Sequence, residues 1–119
     1  VAGGRSEDPD ETPQHCCFSF PTLPGEFGSY LRIGIVDRLL APWATRFGIP
    51  EAPTRVGWVS GAHMMIRREV IDEIGLMDEG YFLYFEETDY TLRAARAGWE
   101  CWHVPESRIV HLVGQSSGV

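Results

Sequence analysis

The sequence predicts an α/β domain, because short helix patterns alternate with short apolar runs in its second half. The segments Arg67–Ile74 and Asp89–Ala97 predict short helices, each followed by a glycine that can end it. The apolar runs at His63–Ile66, Trp99–Val104 and Arg108–Val113 predict strands, the last two separated by Pro105. With 119 residues, 44% of them hydrophobic, the chain is one domain or part of one and can form a modest core.

The first half predicts less regular structure. Val1–Gln14 is polar, acidic and rich in turn residues, and predicts a loop. Phe27–Phe47 predicts an amphipathic helix broken near Pro42, because apolar residues recur at intervals of four, at Leu31, Ile35 and Leu39. Gly48–Gly57 contains two prolines and predicts a connector. We expect the helix to pack on its own domain; the alternative of a membrane-surface helix is kept open by Trp43, Arg46 and Phe47.

The charge balance excludes one class of partner. The net charge is −7 and the isoelectric point is about 5.0, which argues against nucleic-acid binding through a basic face that neutralises phosphates. All ten basic residues are arginine, which we interpret as a compositional habit of the source genome.

The cysteine pattern predicts neither a zinc site nor a disulfide framework. Cys16 and Cys17 are adjacent and cannot easily bridge each other, and no Cys-x-x-Cys pair exists around Cys101 or elsewhere. A reducing compartment is the simpler expectation. Since no signal peptide and no membrane-spanning run are found, we expect a cytoplasmic location, with the cytoplasmic face of the inner membrane as the alternative.

The strongest candidate for a site is the acidic cluster of Glu86, Glu87 and Asp89. It follows directly on an aromatic run, formed by Tyr81, Phe82, Tyr84 and Phe85. One interpretation is an acidic helix N-terminus, capped by Thr88 and supported by an i,i+4 pair of Asp89 with Arg93. The other is a general base, because the aromatic run carries the carboxylates toward a packed place where they could take a proton from a hydroxyl.

Weaker candidates lie elsewhere along the chain. His111 precedes a Gly/Ser loop at Gly114–Gly118, which makes it a reasonable metal or diphosphate contact. Trp58–Ala62 combines a flat ring with small residues that let backbone approach a ligand. We interpret Asp8-Pro9-Asp10 as a solvated loop, since only seven residues precede it and no rigid strand is predicted to aim both carboxylates. His63 and His103 are expected to be structural.

The order of these motifs carries a resemblance. The chain contains W-V-S-G-A-x-M-M-I-R-R, then I-G-x-M-D-E-x-Y-F-L-Y-F-E-E-T-D-Y-x-L-R-A-x-R-A-G-W, then V-P-x-x-x-I-V-H-L-x-G-x-S. Over Gly57–Gly118 this closely resembles the C-terminal half of family 2 glycosyltransferases, in particular the bacterial rhamnosyltransferase-like members. The segment from Ser6 to Thr22 resembles the part that follows the nucleotide-binding half of these enzymes.

The resemblance implies the C-terminal portion of a GT-A fold, a Rossmann-like nucleotide-diphospho-sugar transferase fold with a mixed sheet and flanking helices. It implies inverting transfer of a sugar from a nucleoside diphosphate donor to a saccharide or lipid-linked acceptor hydroxyl, in the synthesis of bacterial cell-surface polysaccharide or glycolipid. Glu87 corresponds to the family's base, with Asp89 and Glu86 in support, and the division of labour among the three acids stays open. His111 corresponds to a ligand of the Mg²⁺ or Mn²⁺ ion that stabilises the departing diphosphate.

Further family positions complete the implied binding site. Gly61 and Ala62 lie near the donor sugar in the family, beside Trp58. Asp78 and Glu79 shape the acceptor site, and Ser116 belongs to the H-x-x-G-x-S segment that binds substrate. Within this framework the chain divides into a lead-in (1–27), a helical connector (28–56) and an acceptor-binding, base-bearing half (57–119).

One departure from the family sets an expectation about activity. The nucleotide-binding half with its Asp-x-Asp metal motif is missing, so most metal ligands are expected from there and the 119 residues alone are expected not to transfer sugar. The alternative function is a non-catalytic interaction or glycan-binding module derived from such an enzyme. Homo-oligomer formation and peripheral membrane contact are further expectations.

Overall fold

A computed structural model describes residues 1–24, 26, 38–46, 48–81 and 85–112. The strands are β1 (Ala2–Glu7), β2 (Cys17–Phe18), β3 (Thr54–Val56), β4 (Trp58–Val59), β5 (Met64–Met65) and β6 (Cys101–Val110). Helix α1 covers Arg68–Ile74 and helix α2 covers Glu86–Arg96, while Ala41–Trp43 and Gly61–His63 form 3₁₀ turns.

The main sheet is mixed. Its strand order is β3-β6-β1-β5; β1 runs parallel to β6, and the other two pairings are antiparallel. The short strands β2 and β4 form a separate antiparallel pair, in which Phe18 lies opposite Trp58. Helix α2 packs against β4 and against α1. The α/β class with a mixed sheet and few helices is therefore confirmed.

The expectation of a loop over Val1–Gln14 is wrong, because its first half is strand β1 in the interior of the sheet. Gly3 and Gly4 are buried there, and a Cβ atom on Gly3 would lie 2.5 Å from Cβ of Val59. Because it has no side chain, Gly3 lets Val59 of β4 pack closely on the sheet, and Gly4 likewise leaves room for the His63 ring. Glycines and polar residues that resemble a turn in the sequence are here the means of close packing.

The two strands expected on either side of Pro105 are one strand, β6. Gly4 pairs with Val104 and Arg5 with Arg108, so Pro105, Glu106 and Ser107 have no partner on β1 and form a bulge. Proline has no N–H to give to the ladder, which explains the local loss of pairing. The strand resumes because β1 continues beside it.

The two predicted helices are confirmed, with one changed start. Helix α1 ends at Gly75, whose φ of 80° is in the left-handed region, and α2 ends before Gly98, whose φ is 92°. Thr88 is not the N-terminal cap of α2: the helix begins at Glu86, after Phe85 in a left-handed conformation with φ of 72°. The residue before the helix is Phe85, which is not one of the usual N-capping residues Ser, Thr, Asp and Asn. The earlier start could therefore not be predicted from a capping residue.

Most of the helix predicted over Phe27–Phe47 lies outside the described residues. At its C-terminal end, 38–40 are helical and the 3₁₀ turn containing Pro42 follows, in agreement with a break there. Among the described residues, no helix has the length and apolar character needed to cross a membrane.

Two clusters of buried side chains form the core. One contains Cys17, Val59 and Cys101, between the β2–β4 pair and the main sheet. The other contains Val70, Tyr90 and Ala94, where α1 packs on α2. The second cluster fixes the position of α2 and therefore of the acids at its N-terminus.

Candidate active site

The three acids at the start of α2 are all partly buried, as the aromatic run before them predicts. Glu87 projects toward the 3₁₀ turn that follows β4, where its Oε1 accepts a hydrogen bond from the backbone N–H of Gly61 at 3.1 Å. These two candidate residues are 26 positions apart in the chain, and the fold brings them together. Within the described part of the chain, Glu87 forms no ion pair with an arginine.

Asp89 has a different environment. Its Oδ2 accepts a hydrogen bond from Nε of Arg93 at 2.8 Å, which confirms the expected i,i+4 pair. The same guanidinium donates at 2.9 Å to the carbonyl oxygen of Ile74, the last residue of α1, and at 3.0 Å to that of Leu76, just beyond it. Asp89 is thus neutralised by a cation that is itself anchored to the neighbouring helix.

Glu86 and Thr88 have hydrogen-bonding atoms without protein partners. Oε2 of Glu86 and Oγ1 of Thr88 are both inaccessible to solvent and make no hydrogen bond to the described residues. Because a buried polar atom without a partner is costly, such atoms at a pocket are candidates for contact with a ligand.

A cavity of about 540 Å³ lies beside these residues. Thr88 and Phe85 line it from the α2 side, and Trp58 lines it from β4. The Trp58 ring stacks on Phe18 with centroids 4.1 Å apart, and its Nε1 donates to the carbonyl oxygen of Ser19 at 3.1 Å. The cavity therefore has aromatic walls and also contains charged and hydroxyl side chains, from Glu26, Arg46, Thr45 and Thr88. This combination suits a ligand with both apolar faces and hydroxyl groups.

The 3₁₀ turn at Gly61–His63 is held by its first residues. Ser60 precedes the turn, and its hydroxyl accepts a hydrogen bond from the Ala62 N–H at 3.3 Å. A Cβ atom on Gly61 would lie 3.3 Å from Oε1 of Glu87, so glycine allows the carboxylate to reach the backbone here. Gly61 and Ala62 are both exposed and can be approached from solvent.

His111 is oriented by a residue that the sequence did not single out, Gln14. The Gln14 Nε2 donates to Oδ1 of Asp8 at 2.7 Å and to the His111 carbonyl oxygen at 2.8 Å. Both partners are acceptors, so the amide nitrogen must face them, and Oε1 is the atom 3.0 Å from His111 Nδ1. Nδ1 therefore carries the proton, which leaves the lone pair of a neutral His111 on Nε2, the nitrogen that could bind a metal ion.

The Asp8-Pro9-Asp10 turn follows strand β1 directly, so the expectation that no strand precedes it is wrong. Its carboxylates are nevertheless used locally, since Asp8 accepts from Gln14 and Asp10 accepts from the Thr12 N–H at 3.0 Å. The hydrogen bonds from Thr12 lower the pKa of Asp10. Asp10 is exposed, in keeping with a solvated turn.

The remaining candidates are less defined. Asp78 and Glu79 lie in an exposed turn, where Oδ1 of Asp78 accepts from the Gly80 N–H at 2.8 Å. Ser116 and the middle of the aromatic run, 82–84, lie outside the described residues. Besides Gln14, the residues that sequence reasoning missed as site residues are Phe18 and the left-handed Phe85, which no local motif marks as cavity walls.

Comparison with known proteins finds rhamnosyltransferases. The chain is 34% identical over 80 residues to the N-acetylglucosaminyl-diphospho-decaprenol L-rhamnosyltransferase of Mycobacterium tuberculosis, covering 65% of this chain and 26% of that protein. It is 34% identical over 58 residues to rhamnosyltransferase WbbL of Escherichia coli, covering 49% of this chain and 22% of WbbL. It is 32% identical over 67 residues to the dTDP-rhamnosyl transferase RfbF of Shigella flexneri, covering 56% of this chain and 23% of RfbF.

The chain thus spans about a quarter of the length of the curated relatives it matches. No protein-family profile matches the sequence, and no solved structure matches it. Over the matched segments the chain is a homologue of rhamnosyltransferases, and the resemblance drawn from its motifs is confirmed.

Proposed function

We propose that this chain is the acceptor-binding, base-bearing part of an inverting rhamnosyltransferase with a GT-A fold. The donor is a nucleoside-diphosphate rhamnose, and the acceptor is a hydroxyl of a saccharide or of a lipid-linked sugar. The names of the relatives support this substrate class, since one contains dTDP-rhamnose and another an N-acetylglucosaminyl-diphospho-decaprenol. The mixed α/β architecture is compatible with a GT-A fold.

The observation that carries the proposal is the environment of Glu87. Its carboxylate is held by the Gly61 N–H, is free of an arginine among the described residues, and lies next in sequence to Thr88, which lines the aromatic cavity. A carboxylate held in this way keeps an oxygen available to accept a proton. As the acceptor hydroxyl attacks the anomeric carbon of the donor, Glu87 takes its proton and the nucleoside diphosphate departs with the bonding electrons.

The acceptor is proposed to bind in the cavity between Trp58 and Phe85. Flat aromatic faces suit the apolar faces of sugar rings, and Thr88, whose Oγ1 has no hydrogen-bond partner among the described residues, lines the same cavity. Asp89 serves in this proposal as a positioning residue, because its ion pair with Arg93 ties the start of α2 to α1.

His111 is proposed to hold a divalent cation through Nε2. The tautomer of His111, fixed by Gln14, fits that role. Because Mg²⁺ and Mn²⁺ require several oxygen ligands, we expect further ligands from residues outside the segments that match the relatives. When bound, the ion would stabilise the negative charge of the departing diphosphate. We place the reaction in the cytoplasm, where nucleotide-sugar donors are made.

The test is rhamnosyl transfer by the full-length protein that carries this segment, with dTDP-rhamnose as donor and an N-acetylglucosaminyl-diphospho-prenol as acceptor. Glu87→Gln is expected to lower kcat by about 10²- to 10⁴-fold, because the amide can still accept from Gly61 but cannot take a proton. Glu106→Gln, at an exposed position of β6, makes the same charge change and should leave kcat within about twofold.

Thermal unfolding of both variants separates loss of chemistry from loss of fold. Wild-type turnover in Glu87→Gln would contradict the assignment of the base. If the wild-type protein binds the acceptor in calorimetry but transfers no sugar under any metal condition, the alternative of a non-catalytic glycan-binding module is the better description.

A further inference from the structure

A second cluster of chemically reactive side chains lies away from the candidate active site. Cys16, Cys17 and His103 are nearly inaccessible, with exposed fractions of 2%, 1% and 0%. One ligand atom from each lies within 4.8 Å of the others, and Cys16 Sγ is 4.0 Å from His103 Nδ1. None of the three lines the cavity beside α2.

The fold brings these residues together from the two ends of the chain. Cys17 is the first residue of β2, and β2 is held by β4, which packs against β6. His103 lies in the middle of β6, paired with Gly3 on one side and Thr54 on the other. A histidine on an interior strand has little freedom to move, so the cluster is preorganised.

The distances fit a small transition-metal ion. With Zn–S bonds of about 2.3 Å and Zn–N bonds of about 2.0 Å, tetrahedral coordination places sulfur and nitrogen ligands roughly 3.5 Å apart, and sulfur ligands roughly 3.8 Å apart. The observed separation of 4.0 Å between Cys16 and His103 needs to close by only a few tenths of an ångström. The other two separations are no larger than 4.8 Å and need to close by at most roughly 1.3 Å.

The charges also fit. Two thiolates and one neutral imidazole around Zn²⁺ give a net charge of zero, which removes the large cost of burying an unpaired ion. Burial lowers the pKa of His103 and so favours the neutral imidazole that binds metal. The hydrogen bond between the two thiols lowers the pKa of Cys16 but raises that of Cys17, which burial raises further, so the metal has to displace the Cys17 proton.

We propose that Cys16, Cys17 and His103 form a structural site for one zinc ion. The proposal differs from the sequence-based expectation that the cysteines form no zinc site, and it makes His103, expected to be structural, a metal ligand. Spacing could not reveal the site, because its third ligand is 87 residues from the first. Binding releases the protons of any thiol that is not yet ionised and ties β2 to the main sheet.

The experiment uses reduced, chelator-treated protein titrated with Co²⁺ and then with Zn²⁺. We expect one equivalent of Co²⁺ to produce a thiolate-to-cobalt charge-transfer band that is lost when zinc displaces the cobalt. Cys16→Ser, Cys17→Ser and His103→Gln should each weaken zinc binding by more than about 100-fold. Cys101→Ser is the matched control, because Cys101 is a buried cysteine in contact with Cys17 but outside the cluster, and it should keep both the band and the affinity.

If a variant fails to fold, the cobalt spectrum of the wild-type protein still tests the proposal. Absence of a thiolate-to-cobalt band in folded wild-type protein would overturn the site. A loss of affinity in Cys101→Ser as large as in the other variants would overturn the assigned ligands. Zinc binding that persists unchanged in the Cys16→Ser and His103→Gln variants would do the same.

Discussion

At the scale of single residues, three neighbouring acids with similar side chains have three different environments. Asp89 is paired with Arg93, Glu87 accepts from a backbone N–H, and Glu86 keeps an oxygen without a described partner. A carboxylate that is held in an ion pair with an arginine is less available to accept a proton from a substrate. The contacts therefore favour Glu87 over Asp89 as the base. In the proposed mechanism Asp89 consequently has a positioning role, and Glu87 takes the proton.

Gln14 is the second residue whose contacts predict an effect. Gln14→Ala removes the acceptor at His111 Nδ1, so the imidazole loses the partner that fixes its tautomer and ring orientation. We expect the Mn²⁺ concentration that half-activates the full-length enzyme to rise by about 10- to 100-fold, with little change in kcat at saturating metal.

A double-mutant cycle provides the control for Gln14. If Gln14 acts through His111, its removal should have little further effect on metal activation in a His111→Ala background. Additive effects of the two substitutions would show that Gln14 acts in another way, for example through Asp8.

At the scale of the elements, helix α2 links the candidate site to the core. Near its N-terminus Glu87 accepts from the turn that follows β4 and Thr88 lines the cavity, while its middle carries Tyr90 and Ala94 into the core against α1. Arg93 also donates to the carbonyl oxygens of Ile74 and Leu76, at and just after the end of α1. Carbonyl groups at a helix end have no partner within the helix and are therefore available to the guanidinium. The position of the acids therefore depends on contacts made at the other side of the helix.

Arg93→Lys should show this dependence. A lysine keeps the charge, but its single nitrogen cannot reach the three separate acceptors that Arg93 contacts through Nε, Nη1 and Nη2. We therefore expect a loss of about 1 to 3 kcal/mol in the free energy of unfolding. Arg96→Lys, at an exposed position of the same helix, should change it by less than about 0.5 kcal/mol. Urea unfolding of the two variants makes the comparison, and equal stabilities would contradict the anchoring role of Arg93.

At the scale of the whole molecule, the fold depends on a strand from the N-terminal end of the chain. Strand β1 lies between β6 and β5, and its glycines admit β4 against the sheet. The lead-in (1–27) and the base-bearing half (57–119) consequently share one sheet and one hydrophobic cluster. The stability of the molecule is expected to depend on pH through ionisable groups that are buried in its core, such as Tyr90 between α1 and α2.

The pH dependence of stability should include a contribution from Tyr90. Burial raises the pKa of its hydroxyl above the ordinary value of 10.0, although the nearby Arg93 opposes the shift. The unfolded chain then loses this proton at a lower pH than the folded chain, so the stabilisation is complete below pH 10 and is lost as the pH rises above it.

Tyr90→Phe tests that contribution. It should cost about 1 kcal/mol at neutral pH, through the lost hydrogen bond to the Gly75 carbonyl oxygen, and should flatten the fall in stability above pH 10. Tyr81→Phe, at an exposed tyrosine, should follow the wild-type profile. Urea unfolding at several pH values measures both, and parallel curves for wild type and Tyr90→Phe would refute the contribution.

The sequence by itself determined what depends on neighbouring residues. Glycines ended both predicted helices, the i,i+4 spacing paired Asp89 with Arg93, and the ordered motifs identified the rhamnosyltransferase relatives. The aromatic run also predicted partly buried acids correctly. Such features follow from local backbone preference and side-chain periodicity, which any short window of sequence contains.

Only the tertiary structure decided which distant residues meet. It placed a glycine-rich polar segment inside the sheet, carried β6 past Pro105, and set Gln14 beside His111 although 97 positions separate them. It likewise joined Cys16 to His103 and Glu87 to Gly61. These contacts arise from strand order and register, which depend on how all elements pack together, and no local pattern encodes that arrangement.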